Sequence, residues 1–223
     1  MKKNPVIAID GYSSTGKSSI SKSIAKKLGL IHLDSGALYR GVTFFALQNC
    51  QNDLHEIDIK SLIKKLPEIN LAFRLIEGEL VLFLNNKDIS KEIRLVEVSE
   101  NVSLVAKQKE VRDFLLQTQR SIAENGGIIM DGRDIGTVVL PNADFKFFLT
   151  ASINERTKRR FLELQSTDIE VDEQSVRENL ISRDTIDSQR EISPLKMAEN
   201  AILIDNTLLS KEETVDVILS YLT

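Results

Sequence analysis

Gly11-Tyr12-Ser13-Ser14-Thr15-Gly16-Lys17-Ser18 fits the pattern G-x-x-x-x-G-K-[ST]. Its physical meaning is a loop that cradles phosphate groups. Gly11 and Gly16 open the positive-φ region and leave no side chain between backbone and ligand. Successive N–H groups then point inward at phosphate oxygens. Just before the loop, Pro5-Val6-Ile7-Ala8-Ile9-Asp10 reads as a buried parallel strand. After it, Ile20, Ile24 and Leu28 recur at four-residue spacing, which predicts a helix. The helix N-terminus adds its partial positive charge to the cradle. Lys17 is expected to place a full charge on the outer phosphates, and the Ser18 hydroxyl is expected to face Mg²⁺.

Outward from the loop, short apolar runs at 30–33, 128–130, 145–149 and 201–204 read as further strands, with helical patterns between them. That alternation predicts a three-layer α/β fold around a central parallel sheet. Three of these strands, counting the first, end in Asp10, Asp34 and Asp131, and a fourth in Asp205. Ligands bind beyond the carboxyl ends of strands in open parallel sheets, so Asp10, Asp34 and Asp131 are candidates to line one cleft. Asp10 has the alternative of capping or turning the loop. Ser152 with Glu155, and Ser210 with Glu213, each fit a capping box at a helix start. The last helix, carrying Val215, Val217, Ile218 and Leu222, is expected to pack on the sheet edge.

The stretch 69–88 breaks the alternation. Leu71-Ala72-Phe73, the apolar run 80–84, Gly78 and Asn85-Asn86 predict a small antiparallel meander inserted in the α/β chain.

Composition narrows the class. The chain has 223 residues, 42% hydrophobic and 28% charged, enough for one sizeable core with inserted subdomains. The net charge of −4 gives no overall basic character of the kind that marks nucleic-acid binding. Cys50 is the only cysteine, so neither an intrachain disulfide nor a cysteine metal cluster is available. Apolar residues after Pro5 stop at Asp10, too few for a signal-peptide core, and no run reaches membrane-spanning length. A cytoplasmic, soluble, monomeric protein without membrane or nucleic-acid partners is expected.

A second cluster of charges lies away from the loop in sequence. Asp131-Gly132-Arg133-Asp134-Ile135-Gly136-Thr137 follows a strand and offers a guanidinium for phosphate and a carboxylate for an amino donor. The bland alternative is a solvated turn with a local ion pair. Arg183, Asp184, Asp187 and Arg190 form R-D-x-x-D-x-x-R. On a helix, Arg183, Asp187 and Arg190 fall within about 60° of one another; an exposed ladder of ion pairs has the same spacing. Arg156, Lys158, Arg159 and Arg160 make a basic turn that suits a phosphate clamp. Asp34-Ser35-Gly36-Ala37-Leu38-Tyr39-Arg40 follows the second strand. There Ser35 and Arg40 suit a second anion, or Asp34 or Ser35 simply caps a helix.

Together these segments resemble the bacterial cytidylate kinases. The resemblance rests on the phosphate loop, L-D-S-G-A-x-Y-R at 33–40, D-G-R-D-x-G-T-V-V at 131–139 and R-D-x-x-D-x-x-R at 183–190, in that order. It covers essentially the whole chain. It implies a three-layer α/β/α P-loop fold, an inserted nucleoside-monophosphate-binding subdomain with a small antiparallel sheet, and a short helical lid. The implied boundaries are a core at about 1–37, 105–155 and 190–223, the insertion at about 38–104 and a lid at about 156–189. The implied reaction is transfer of the ATP γ-phosphoryl group to CMP or dCMP, with Mg²⁺. Gly11, Tyr12, Ser13, Ser14, Thr15, Gly16, Lys17, Ser18 and Ser19 would hold ATP together with Arg156 and Arg159. Ser35, Arg40, Ser103, Arg112, Arg133, Asp134, Arg183, Asp187 and Arg190 would hold the acceptor, with Ser103, Arg112 and Asp134 reading the cytosine edge. Lys17, Arg133, Arg183 and Arg190 would be catalytic, and Ser18 would face Mg²⁺. Tyr12 stands where the family pattern has proline.

Other readings compete. Another small-molecule P-loop kinase would share the loop and act on a different acceptor. A GTPase needs N-K-x-D, which Asn86-Lys87-Asp88-Ile89 misses by one position. A non-catalytic nucleotide-binding module has no use for so many arginines around a second anion.

Overall fold

The structure, a computed structural model, describes residues 4–166 and 171–222. In chain order the strands and helices are β1 (Val6–Gly11), α1 (Lys17–Leu28), β2 (Ile31–Asp34), α2 (Ser35–Asn49), α3 (Ile59–Lys65), β3 (Leu71–Ile76), β4 (Glu79–Leu84) and β5 (Lys87–Asp88). They continue with α4 (Val96–Ala106), α5 (Lys109–Ala123), β6 (Ile128–Gly132), β7 (Phe145–Thr150), α6 (Ile153–Gln165), α7 (Glu173–Gln189), β8 (Ile202–Asp205) and α8 (Lys211–Ser220). The chain divides into two compact units, one of Met1–His32 with Asn125–Thr223 and one of Leu33–Glu124.

The first unit is α/β. Among the described residues the main sheet has five strands in the order β2-β6-β1-β7-β8. β1 runs parallel to both neighbours, with Ile9 opposite Asp131 on one side and Phe147 on the other. Both faces of the central strands are buried. Ile7, Ile9, Ile129, Phe147 and Leu149 pack with Ile20 and Ile24 of α1 and with Val215 and Ile218 of α8. Ala8, Ile128, Met130 and Phe148 alternate with them and are equally buried. A strand covered on both faces reads as a near-continuous apolar run, which is why 128–130 and 145–149, the latter broken only by Lys146, were visible in sequence. Each fully buried isoleucine contributes about 2 kcal/mol from area removed from water. The last helix lies against α1 and shares its cluster with Ile204 of the edge strand.

Only one of the two expected capping boxes closes. At Ser210 the side chain accepts from the Glu213 N–H and the Glu213 carboxylate accepts from the Ser210 N–H. At Ser152 the side chain accepts from the Glu155 N–H, but the Glu155 carboxylate turns to Arg159 at 2.9 Å. A guanidinium one turn along outbids a backbone N–H for that carboxylate.

The second unit has its own core, in which Leu38, Val42 and Phe45 of α2 meet Leu82, Val98, Val105 and Leu115. β3, β4 and β5 form the expected meander. Its two turns put Glu77-Gly78 and Asn85-Asn86 at positive φ. That conformation matches the strand twist in two-residue hairpins. This unit runs from Leu33 to Glu124. The apolar faces of α2 and α5 bury themselves in the same cluster as the meander.

Candidate active site

The phosphate loop joins β1 to α1 and is held by contacts that only its backbone path permits. Gly11 has φ +149, and a Cβ there would lie 2.0 Å from the Leu149 carbonyl oxygen of β7. No other residue fits so close to a neighbouring strand. Gly16 caps α1 at φ 84. Inside the turn, Thr15 Oγ1 donates to the Tyr12 carbonyl at 3.0 Å, and Ser19 Oγ donates to the Gly16 carbonyl at 3.0 Å. Asn206 Nδ2, just past β8, donates to the Thr15 carbonyl at 2.9 Å.

Lys17 is buried, and its Nζ donates to the Tyr12 carbonyl at 2.5 Å. Burial holds its pKa well below the ordinary lysine value, and the Arg133 guanidinium lowers it further against the pull of Asp131, Asp184 and Asp10. A bound polyanion would reverse that balance by supplying the missing negative charge.

At the foot of the loop Ser18 Oγ donates to Asp131 Oδ2 at 2.6 Å. The other oxygen, Asp131 Oδ1, lies 2.6 Å from His32 Nε2. A hydroxyl and a carboxylate side by side are hard oxygen donors. Mg²⁺ takes one or two such protein ligands and completes its shell with phosphate and water, so these residues fit the ion.

Ser13 joins three elements. Its N–H donates to Asp184 Oδ1 of α7 at 3.2 Å, its carbonyl accepts from Arg156 Nη1 of α6 at 3.3 Å, and its hydroxyl accepts from Arg133 Nη2 at 2.9 Å. Arg156 is also ion-paired with Asp184 and donates Nε–H to the Ala151 carbonyl at 3.0 Å. The Tyr12 ring lies 5.3 Å from the Arg156 guanidinium and packs edge-on to Phe148. Arg159 donates to Asn206 through both Nη atoms. Both arginines expected at ATP are therefore anchored beside the loop, while Lys158 of the same turn is exposed.

Arg133 leaves the end of β6 and donates its Nε–H to Asp187 Oδ2 at 2.9 Å. Arg190 Nη1 lies 3.8 Å from Asp187 Oδ1, and its Nη2 donates to Asp134 Oδ1 at 3.5 Å. Asp187, Asp134, Arg183 and Arg190 are all buried. Burial raises the Asp187 pKa, but the guanidiniums of Arg133, Arg190 and Arg183 outweigh it and hold the carboxyl below its ordinary value. This is a built cluster of three arginines and two carboxylates, not an exposed ladder. Arg190 stands one residue past α7 as its C-cap, with φ −63 and ψ 141, rather than on the helix as its spacing suggested. Its Nε–H donates to the Ser193 carbonyl at 2.7 Å, which fixes the exit.

Asp10 does not line a cleft with Asp131. Both its oxygens accept backbone N–H bonds, from Ile135 and Gly136 at 2.7 Å each. It thereby caps the single π-helical turn Ile135–Val139 that follows Arg133 and Asp134. Burial raises its pKa to about 6 against those two N–H groups.

In the second unit Ser35 opens α2 and Asp34 is that helix's N-cap residue. Arg40 Nη1 donates to Ser99 Oγ of α4 at 2.8 Å and to the Ile93 carbonyl at 3.3 Å. Arg112 of α5 is buried, donates to the Ala106 carbonyl at 3.0 Å and lies 5.2 Å from the Tyr39 ring. Ser103 is buried on α4. Of the segment expected as a lid, residues 167–170 lie outside the described residues.

Sequence reasoning passed over His32, Asn206 and the particular role of Asp184. Asn206 had a weak signal, since it sits just beyond the carboxyl end of β8, where ligand-facing residues collect, whereas His32, second of the four residues of β2, had none.

Comparison with known proteins agrees with this geometry. The sequence profile of the family described as cytidylate kinase matches residues 7–223. A cytidylate kinase of Flavobacterium johnsoniae is 47% identical over 213 residues, 95% of this chain and 93% of that one. One from a Geobacillus species is 45% identical over 216 residues, 97% of this chain and 95% of that one. Among solved structures, an uncharacterized protein from Eubacterium ventriosum superposes with a TM-score of 0.52 at 12% identity, covering 98% of each chain, a likeness of fold alone. A phosphate loop, a buried arginine–carboxylate cluster beside it and near-complete alignment to such relatives converge on one statement: this chain belongs to the cytidylate kinase family.

Proposed function

We infer that this chain acts as a cytidylate kinase, transferring the γ-phosphoryl group of ATP to CMP or dCMP and giving ADP with CDP or dCDP. The observation that carries the reading is the cluster of Arg133, Arg190, Asp187 and Asp134 tied through Ser13 to the phosphate loop. A generic triphosphate site has no need of such a cluster.

The acceptor is a phosphate oxygen, already ionised near neutral pH, so no general base is required. That oxygen attacks the γ-phosphorus. The bond from phosphorus to the bridging oxygen breaks, and its electron pair leaves on the β-phosphate of ADP. Two highly charged groups must meet in line, so positioning and charge neutralisation set the rate. Loop N–H groups and Lys17 hold the β- and γ-phosphates in this reading, with Arg156 and Arg159 at the donor. Arg133, Arg183 and Arg190 take the charge on the transferred group. Ser18, with Asp131 behind it, would hold Mg²⁺, which would supply charge neutralisation to the donor phosphates.

Asp134 accepts from the exocyclic amino group of cytosine. Uracil presents a carbonyl there, so two acceptors would face each other. Ser35, Arg40, Ser103 and Arg112 are assigned to the acceptor nucleotide on the family pattern. The segment 156–189 is assigned as a lid that excludes water, the competing acceptor. A cytoplasmic monomer is the assigned state; Cys50 is buried, and among the described residues no helix is long and apolar enough to cross a membrane.

The test is a coupled ADP-release assay across CMP, dCMP, UMP, AMP and a no-acceptor control. Turnover is expected with CMP and dCMP, far above UMP, AMP and water. Equal rates for AMP and CMP would overturn the assignment.

A further inference from the structure

Each oxygen of Asp131 makes a short contact, and the two face different ways. Oδ2 accepts the Ser18 hydroxyl proton at 2.6 Å, and Oδ1 sits 2.6 Å from His32 Nε2. A carboxylate only accepts, so the His32 ring donates from Nε2. The carboxylate is almost wholly buried and the imidazole is 18% exposed. His32 lies on β2 and Asp131 on β6, so a backbone-held ring pins one carboxylate oxygen while the other orients Ser18.

We propose that His32 is a positioning residue for the donor metal site. It holds the Asp131 carboxylate in the rotamer that keeps Ser18 turned with its lone pairs outward. The inference rests on the assignment of Ser18 to Mg²⁺. Without the His32 donor, the Asp131 carboxylate loses the tie on Oδ1 that sets its plane, and the acceptor of Ser18 is held less firmly. Groups behind metal ligands act in this way, by fixing orientation rather than by touching the ion.

Two polar variants of different reach separate this role from packing. In His32→Gln the side-chain amide reaches about as far as Nε2. In His32→Asn it is one carbon shorter and cannot reach Oδ1. Calorimetry of ADP binding, with and without Mg²⁺, is run on wild type, both variants and Ser18→Ala, with thermal melts alongside. For His32→Asn, we expect Mg²⁺-dependent ADP affinity to fall about tenfold, the usual scale for losing such a support. Metal-free ADP affinity should stay at the wild-type value, and His32→Gln should retain most of the Mg²⁺ effect.

Equal weakening with and without Mg²⁺ in His32→Asn would overturn the inference, as would a lowered melting temperature with unchanged affinities. Should His32→Asn fail to fold, His32→Gln decides: wild-type melting with the Mg²⁺ effect lost would sink the proposal. If Ser18→Ala loses the Mg²⁺ effect but His32→Asn does not, only the role of His32 falls. If wild type shows no Mg²⁺ effect, the metal assignment falls and takes this inference with it.

Discussion

Arg133 and Asp187 are joined at 2.9 Å, guanidinium Nε to carboxylate Oδ2, between the end of β6 and the last turns of α7. The same guanidinium reaches Ser13 with Nη2. Its plane is therefore fixed from two sides, and Nη1 lies 3.5 Å from the Gly132 carbonyl oxygen.

Arg133→Lys keeps the charge but cannot serve Ser13 and Asp187 together, because an ammonium is a point donor and not a planar fork. The expected result is a fall in kcat of about 100-fold, or ~2.7 kcal/mol of lost transition-state stabilisation, with a smaller change in KM for CMP. Steady-state kinetics check it. An unchanged kcat would show that charge alone suffices at this position.

Asp134→Ala removes the acceptor assigned to the cytosine amino group. The preference for CMP over UMP, measured as a ratio of kcat/KM, should narrow by at least about tenfold, since an opposed or missing hydrogen bond at a desolvated base edge carries ~1–3 kcal/mol. The same ratio in wild type and variant would remove Asp134 from base recognition.

Lys17→Ala takes away the one lysine that lies within the phosphate loop. Transfer should drop to background while calorimetry still shows CMP binding near the wild-type affinity. Lost CMP affinity would argue that donor and acceptor share this charge already in the binary complex.

Asp10 makes a prediction about stability and pH. Its carboxyl titrates at about 6 in the folded chain against 3.8 as the ordinary value. Between those values the folded state keeps a proton that the unfolded chain has released, so stability falls as pH rises through that window. One pKa unit is worth 1.36 kcal/mol, which makes the decline about 3 kcal/mol. Asp10→Asn lacks the titration. The difference in unfolding free energy between wild type and Asp10→Asn should therefore shift against wild type from pH 4 to pH 7. A flat difference across urea titrations in that range would disprove it.

Much of the fold was legible because its signals are local. Largely apolar runs marked β1, β6 and β7, and Gly78 and the pair Asn85-Asn86 marked two hairpin turns. The capping signature shows where local reading stops. Ser152 and Ser210 carry the same four-residue pattern, yet Arg159, one turn after Glu155, draws that carboxylate away. After Glu213 the corresponding residue is Val217, which offers no competing charge.

The site was legible in its residue types and less so in its wiring. Asp131 was found from its place after a strand, but its partner His32 is 99 positions away. Asn206 and Thr15 are 191 apart. Asp10 was poised between lining a cleft and capping, and the outcome depends on which backbone N–H groups the β6 loop presents. Only the folded sheet decides that.

Ser13 occupies a position that the loop pattern leaves open to any residue. Two of its three links, to Asp184 and to Arg156, leave from main-chain atoms and survive every substitution that preserves the backbone path. The third, to Arg133, leaves from the hydroxyl. Mutational scanning of the loop would therefore register only one strand of a three-stranded tether. The ties to α6 and α7 are silent to such a scan from the loop side and become audible only when Asp184 or Arg156 is changed instead.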